Sequence, residues 1–221
     1  MIAASGLRWI LTLMFAAPVL YGLWRLVLPA AGLTGRVGHV LHAAMGVLMI
    51  AMAWPWGMDL AVAPQVVLFT AGAVWFVGAS LIRPGGRSRT GAVVAAWPHA
   101  LMMGAMAWMV EAMATPGSTA GHGGGGHGGH EGHTAAGSGL ASMSLTDTGP
   151  SVASALLAVA LTAIGLVWLA RAFDLARAQV PVPAPAGGPA PAGANTAAAA
   201  LDPACHAVMA LGMAVMFALF A

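Results

Sequence analysis

Residues 99–109 read HALMMGAMAWM, a histidine followed by methionine at offsets +3, +7 and +10 in an otherwise apolar run. The spacing returns in HAAMGVLMIAM from His42 and in HAVMALGMAVM from His206. All three segments therefore share the pattern H-x2-M-x3-M-x2-M. On an α-helix these four positions fall within about 80° of one another, as one stripe about 15 Å long. The reading of this segment as helix, and as one of three like helices, organises the rest of the chain.

The surroundings support helix. Of 221 residues, 60% are hydrophobic and 6% charged, where a soluble domain carries about 25% charged residues. Six runs, at 7–27, 37–56, 60–82, 91–114, 151–170 and 199–221, reach the roughly 20 residues needed to cross a hydrocarbon core about 30 Å thick. Lone strands would leave backbone groups unpaired in lipid, so each run is predicted to be helical. The first run has no cleavage-site region after it and is taken as a span rather than a signal peptide. The fold class is all-α, a polytopic membrane protein of six transmembrane helices. Residues 1–115 hold two hairpins. Residues 116–150, with GHGGGGHGGHEGH, form a Gly/His-rich loop without a packed core. Residues 151–221 hold a third hairpin, whose two helices are joined by a Pro/Ala-rich linker at 178–198.

Arginine orients the chain. All eight basic residues are arginine, and one set of loops collects Arg25, Arg36, Arg83, Arg87, Arg89, Arg171 and Arg177. The opposite side has only Arg8, with Asp59, Glu131 and Asp147. The positive-inside rule then puts both termini and the histidine loop outside a bacterial inner (plasma) membrane. A formal charge of +2 gives no reason to expect a nucleic-acid partner. The expected partners are the lipid bilayer and a metal ion, and the sequence names no protein partner. The single cysteine, Cys205, excludes an intrachain disulfide framework.

The three motifs fall on spans two, four and six, which run parallel, so a quasi-threefold bundle makes them equivalent. Facing a common axis, His42, His99 and His206 form a ring. Beyond it come Met45, Met102 and Met209, then Met49, Met106 and Met213, then Met52, Met109 and Met216. Distances from the flanking arginines place His99 deeper than His42, an expected stagger of about one turn.

Two readings compete. The same offsets are the a and d positions of a helix-packing seam, where methionine packs well. Against packing alone, nine of the fifteen methionines occupy all nine ladder positions, although leucine and valine are abundant. Histidine in a membrane span is a functional candidate by default. Thioethers are soft, neutral donors that suit Cu(I), and stacked trigonal layers permit stepwise exchange. Cys205 and His39 are adjacent candidates, with a small buried thiol as the plain alternative for Cys205. The loop residues His122, His127, His130 and His133 are candidates to gather Cu(II), Ni(II) or Zn(II), or else belong to a solvated low-complexity segment. Asp202-Pro203 reads as a helix start, N-cap and N1. Haem b, held axially by histidines, is the alternative cofactor and leaves the methionines unused. No phosphate-binding GxxxxGK[ST] motif occurs, and no enzyme activity is expected.

With its repeated H-x2-M-x3-M-x2-M segments, six spans and arginine-only inner loops, the chain resembles actinobacterial membrane proteins of a domain of unknown function. That resemblance implies a bacterial inner-membrane protein and brings no activity with it. By analogy only, the M-x3-M pairs Met45/Met49, Met102/Met106 and Met209/Met213 resemble the methionine triads of eukaryotic high-affinity copper transporters. Those are trimers of three-span subunits, which this chain is not.

Overall fold

A computed structural model describes residues 5–28, 32–82, 88–114, 148–178 and 193–221. These form six helices: α1 (Ser5–Val27), α2 (Leu33–Ala53), α3 (Val62–Ile82), α4 (Arg89–Ala114), α5 (Thr148–Arg177) and α6 (Gly193–Phe220). A short 3-10 turn, Pro55–Asp59, joins α2 to α3. All six helices are long and apolar enough to cross a membrane, and no strand occurs among the described residues. The four loop histidines His122, His127, His130 and His133 lie outside the described residues.

Consecutive helices pack as three hairpins, α1 with α2, α3 with α4 and α5 with α6. Further contacts of α1 with α6, α2 with α3 and α4 with α5 close the hairpins into a ring. The even-numbered helices line its inside: 39–50% of their apolar stretches is buried, against 17–28% for the odd-numbered ones. Leu13, Leu20, Val67, Val74, Leu156 and Val159 project from the odd helices, exposed, as expected of side chains that face lipid.

Helix bounds shift by a few residues from the sequence expectation, α2 starting at Leu33 and α5 at Thr148, and three ends carry a physical reason or a consequence. The second span ends at Ala53 rather than 56, because Trp54 is extended and Pro55 starts the 3-10 turn. Proline disfavours helix at the residue before it. The fifth helix runs on to Arg177. The sixth begins at Gly193, inside the stretch expected to be linker, where four consecutive alanines favour helix. Pro203 therefore lies within α6 and Asp202 is not its N-cap. Prolines also sit inside α1 (Pro18) and α4 (Pro98). Membrane helices tolerate this, because neighbouring groups re-satisfy the freed carbonyls.

Phe15 of α1, fully buried, reaches the backbone of α6. A Cβ on Gly212 would lie 2.6 Å from Phe15 Cζ, so α1 and α6 approach this closely only with glycine there. Gly212→Ala is expected to destabilise the protein by about 1–3 kcal/mol through overpacking. Gly104→Ala, where nothing lies within 4 Å, should be neutral or stabilising by up to about 1 kcal/mol. Thermal unfolding of the two variants in detergent checks this; equal midpoints would show that Phe15 yields freely.

Candidate metal centre

Helices α2, α4 and α6 each bring one imidazole to the ring axis. The centroids of His42 and His99 are 5.1 Å apart, and His206 lies 4.7 Å from each of them. The rings meet nearly edge to face, with interplanar angles of 77–89°. One potential ligand atom from each lies within 4.8 Å of the others. A triangle of that size puts each nitrogen no more than about 2.8 Å from its centre, against about 2.0 Å for an imidazole–metal bond. Shifts below about 1 Å close that gap. The three histidines also share one level, so the expected one-turn stagger of His99 is not found: Arg36 lies about a turn inside α2 whereas Arg89 is the first residue of α4, so distance from the arginine misstates depth along the helix.

The hydrogen bonds of the rings share one design. His42 Nδ1 donates to the Gly38 carbonyl at 2.7 Å, and His206 Nδ1 to the Asp202 carbonyl at 2.8 Å. His99 makes the corresponding bond to the backbone of Ala95. Each partner lies four residues earlier on the same helix. A carbonyl only accepts, so Nδ1 of His42 and His206 carries the proton, and a neutral ring keeps its lone pair on Nε2. This is how metal-ligating histidines are commonly oriented: a backbone carbonyl fixes the tautomer and leaves the other nitrogen as donor to the metal. His42 Nε2 is buried and has no hydrogen-bond partner.

Two aromatic rings close two edges of the triangle. Phe76 of α3 packs on His42 and His99, at 5.4 and 5.1 Å between centroids. Trp168 of α5 packs on His99 and His206, at 5.1 and 4.9 Å. The third edge, toward α1, has polar neighbours instead. Tyr21 of α1 stands 6.4 Å from His39 and hydrogen-bonds the Asp202 side chain. His39 and Cys205 both lie within electrostatic reach of Asp202.

All nine ladder methionines are buried, none more than 4% exposed, and they belong to one apolar core. Equal offsets on parallel helices that share a histidine level stack them about 4.5, 10.5 and 15 Å beyond the histidines. Burial of this kind serves packing as well as ligation. Glu111 is exposed on α4, consistent with its position off the stripe. Sequence reasoning passed over Met113 and Gln65. Met113 extends the α4 stripe at offset +14, and Gln65 is a buried amide in a largely apolar helix; the offset and the amide are both readable in the sequence.

A profile of a domain of unknown function, DUF5134, matches residues 34–220. An uncharacterized protein of Mycobacterium tuberculosis, in two strains, and one of Mycobacterium bovis are each 36% identical to the chain over 107 residues. That alignment covers 48% of this chain and 50% of each relative, so the chain spans about half the length of the curated relatives it matches. No solved structure matches it significantly.

Proposed function

This chain belongs to the DUF5134 family of unknown function, and from that premise we propose that it is a membrane copper-handling protein. It conducts or relays Cu(I) along the three His/Met ladders. The observation that carries this reading is the buried, unpartnered Nε2 of His42, in a ring that packs against two other imidazoles and is bonded through Nδ1 to a backbone carbonyl. A buried polar nitrogen left without a partner costs about 1–3 kcal/mol, and a metal ion shared by three rings is the partner that removes this cost. Nine buried thioethers lead to that triangle. They offer a soft monovalent cation uncharged donors in place of water, which suits Cu(I) and not a hard divalent ion. Haem b is less well supported: imidazoles 4.7–5.1 Å apart, with Phe76 and Trp168 packed on them, leave no slot for a macrocycle.

The arginines at the histidine end, Arg25, Arg36, Arg89, Arg171 and Arg177, support a cytoplasmic triangle and an outer methionine end. The loop residues His122, His127, His130 and His133 then stand on the outer side, where they gather metal before it reaches sulfur. The chain works without a catalytic step.

The test is titration of the purified protein with Cu(I) under reducing conditions against a competing chelator, with X-ray absorption at the copper edge. Tight binding with sulfur and nitrogen neighbours is expected. A protein that never competes with the chelator would sink the reading. The direction is checked separately in a Cys205→Ser background, by labelling cysteines placed at Ser118 and Ser88 from either side. Ser118 should react from outside and Ser88 from inside; the reverse pattern would invert the pathway.

A further inference from the structure

At the end of the ladders away from the histidines, a pit of about 160 Å³ opens between the 3-10 turn, the start of α3 and the end of α4. Leu60 and Ala114 on its rim are exposed, whereas Met52 and Gln65 in its floor are buried. Gly57 holds the turn against α2: its Cα abuts the Ala51 carbonyl so closely that no Cβ fits. The pit is therefore a fixed feature of the turn.

Gln65 is 8% exposed. Its Nε2 donates to the carbonyls of Leu60 and Ala61, at 3.4 and 3.1 Å. Those bonds settle which end of the amide is nitrogen and leave Oε1 on the other side. That oxygen is buried and has no partner, a state that costs about 1–3 kcal/mol unless something supplies one. Met113 lines the same pit. It also borders a cavity of about 10 Å³ beside Met109 and Ser154, and Ser154 Oγ is fully buried and without a partner as well. Met113 thus lines both the cavity shared with Gln65 and Met52 and the one shared with Ser154, the two residues whose side-chain oxygens are buried without a partner being Gln65 and Ser154.

We propose that this pit is a loading site for a soft monovalent cation, with the thioethers of Met52 and Met113 and Oε1 of Gln65 as its donors. Met52 belongs both to the pit and to the ladder, so an ion bound here is already on the first rung. The site rests on the Cu(I) reading above and supplies its mouth. Its donors carry no charge: no carboxylate lines the pit, so a divalent ion would be left without compensation, while two sulfurs favour a soft ion over sodium or potassium. The oxygen offers an arriving ion a ligand of the kind it leaves behind in water. The exposed rim lets it arrive partly hydrated. The mouth is lateral, between the first and second hairpins, and not on the axis of the bundle.

The full chain, labelled with 13C at the methionine methyls and held in detergent, is titrated with Ag(I), a redox-inert soft cation. Single Met→Leu variants assign the signals. Ag(I) should shift Met113 and Met52 at the lowest concentrations, before Met49, Met106 and Met213. Gln65→Leu removes one of the three donors and not merely a supporting contact, so it should weaken the Met113 response about 100-fold and leave the ladder shifts at saturation intact. Met113→Leu, which conserves volume, should remove the early shift of Met52 and provides a second route should Gln65→Leu fail to fold. A Met113 signal unmoved while the ladder saturates would mean that the pit holds only water, overturning the mouth and sparing the pathway. A Met113 shift with silent ladder signals would support the pit as a cation site and overturn the pathway reading instead. Silence at both would sink both.

Discussion

His42→Leu is expected to abolish tight Cu(I) binding while the metal-free protein stays at least as stable as the parent. The two halves have separate causes. Removing one of three imidazoles leaves two donors, and a change in a partner that merely orients a metal ligand already costs 10–100-fold in affinity. Loss of the ligand itself should cost about 100-fold or more. The stability argument concerns Nε2, which is buried and unpartnered; deleting it removes a penalty of about 1–3 kcal/mol. The Nδ1 bond to Gly38 disappears too, with a net loss of about 0.5–1.5 kcal/mol. Leucine fills most of the vacated space against Phe76. Chelator competition measures the first effect, and thermal unfolding without metal the second. If the imidazoles merely packed, substitution would leave copper affinity unchanged, and that result would end the case for a metal triangle. His206→Leu should lose copper affinity in the same way, since His206 shares both the carbonyl bond and the triangle; the gain in metal-free stability is expected of His42→Leu, whose Nε2 is the buried unpartnered one.

How far the sequence discloses this site depends on which physical signal each residue leaves. The methionine stripes are legible because helix periodicity converts offsets of 3, 7 and 10 directly into one face, and all nine side chains are buried as that face requires. The six spans are legible from hydropathy and length. The level of the histidines is not, because depth along a helix depends on where that helix begins, and counting residues from the last arginine ignores this. Phe76 and Trp168 illustrate a second limit. Aromatic residues in outer helices look like any lipid-facing residue until the hairpins are assembled, so their packing on the imidazoles has no signature of its own. Asp202-Pro203 shows that a capping pair can mislead inside a membrane helix, where alanine propensity and the absence of water carry the helix through a proline. Gln65 was legible in principle: a primary amide in an apolar span needs partners, and the search for them leads to the pit.

Replacing the middle methionine layer should stop the pathway without unfolding the bundle. Met49, Met106 and Met213 are each fully buried, so leucine at these positions keeps volume and apolar character while removing sulfur. Such swaps usually cost less than about 1.5 kcal/mol each. The three share one layer, so their effects need not add, and single, double and triple variants should be compared. With the histidines intact, the triple variant retains its terminal Cu(I) site, while total Cu(I) bound falls stepwise with the number of leucines. Flux responds more strongly than binding. An ion leaving the outer layer then finds only hydrocarbon for about 10.5 Å before the layer nearer the histidines. A barrier raised by only about 1.4 kcal/mol there slows transfer tenfold. Uptake of Cu(I) into proteoliposomes under reducing conditions, with helicity and unfolding midpoint followed in parallel, separates the readings. If packing were the whole purpose of the stripe, the triple leucine protein would carry copper as well as the parent does, or neither would carry it. A folded triple variant with parental stoichiometry and flux would remove sulfur from the mechanism.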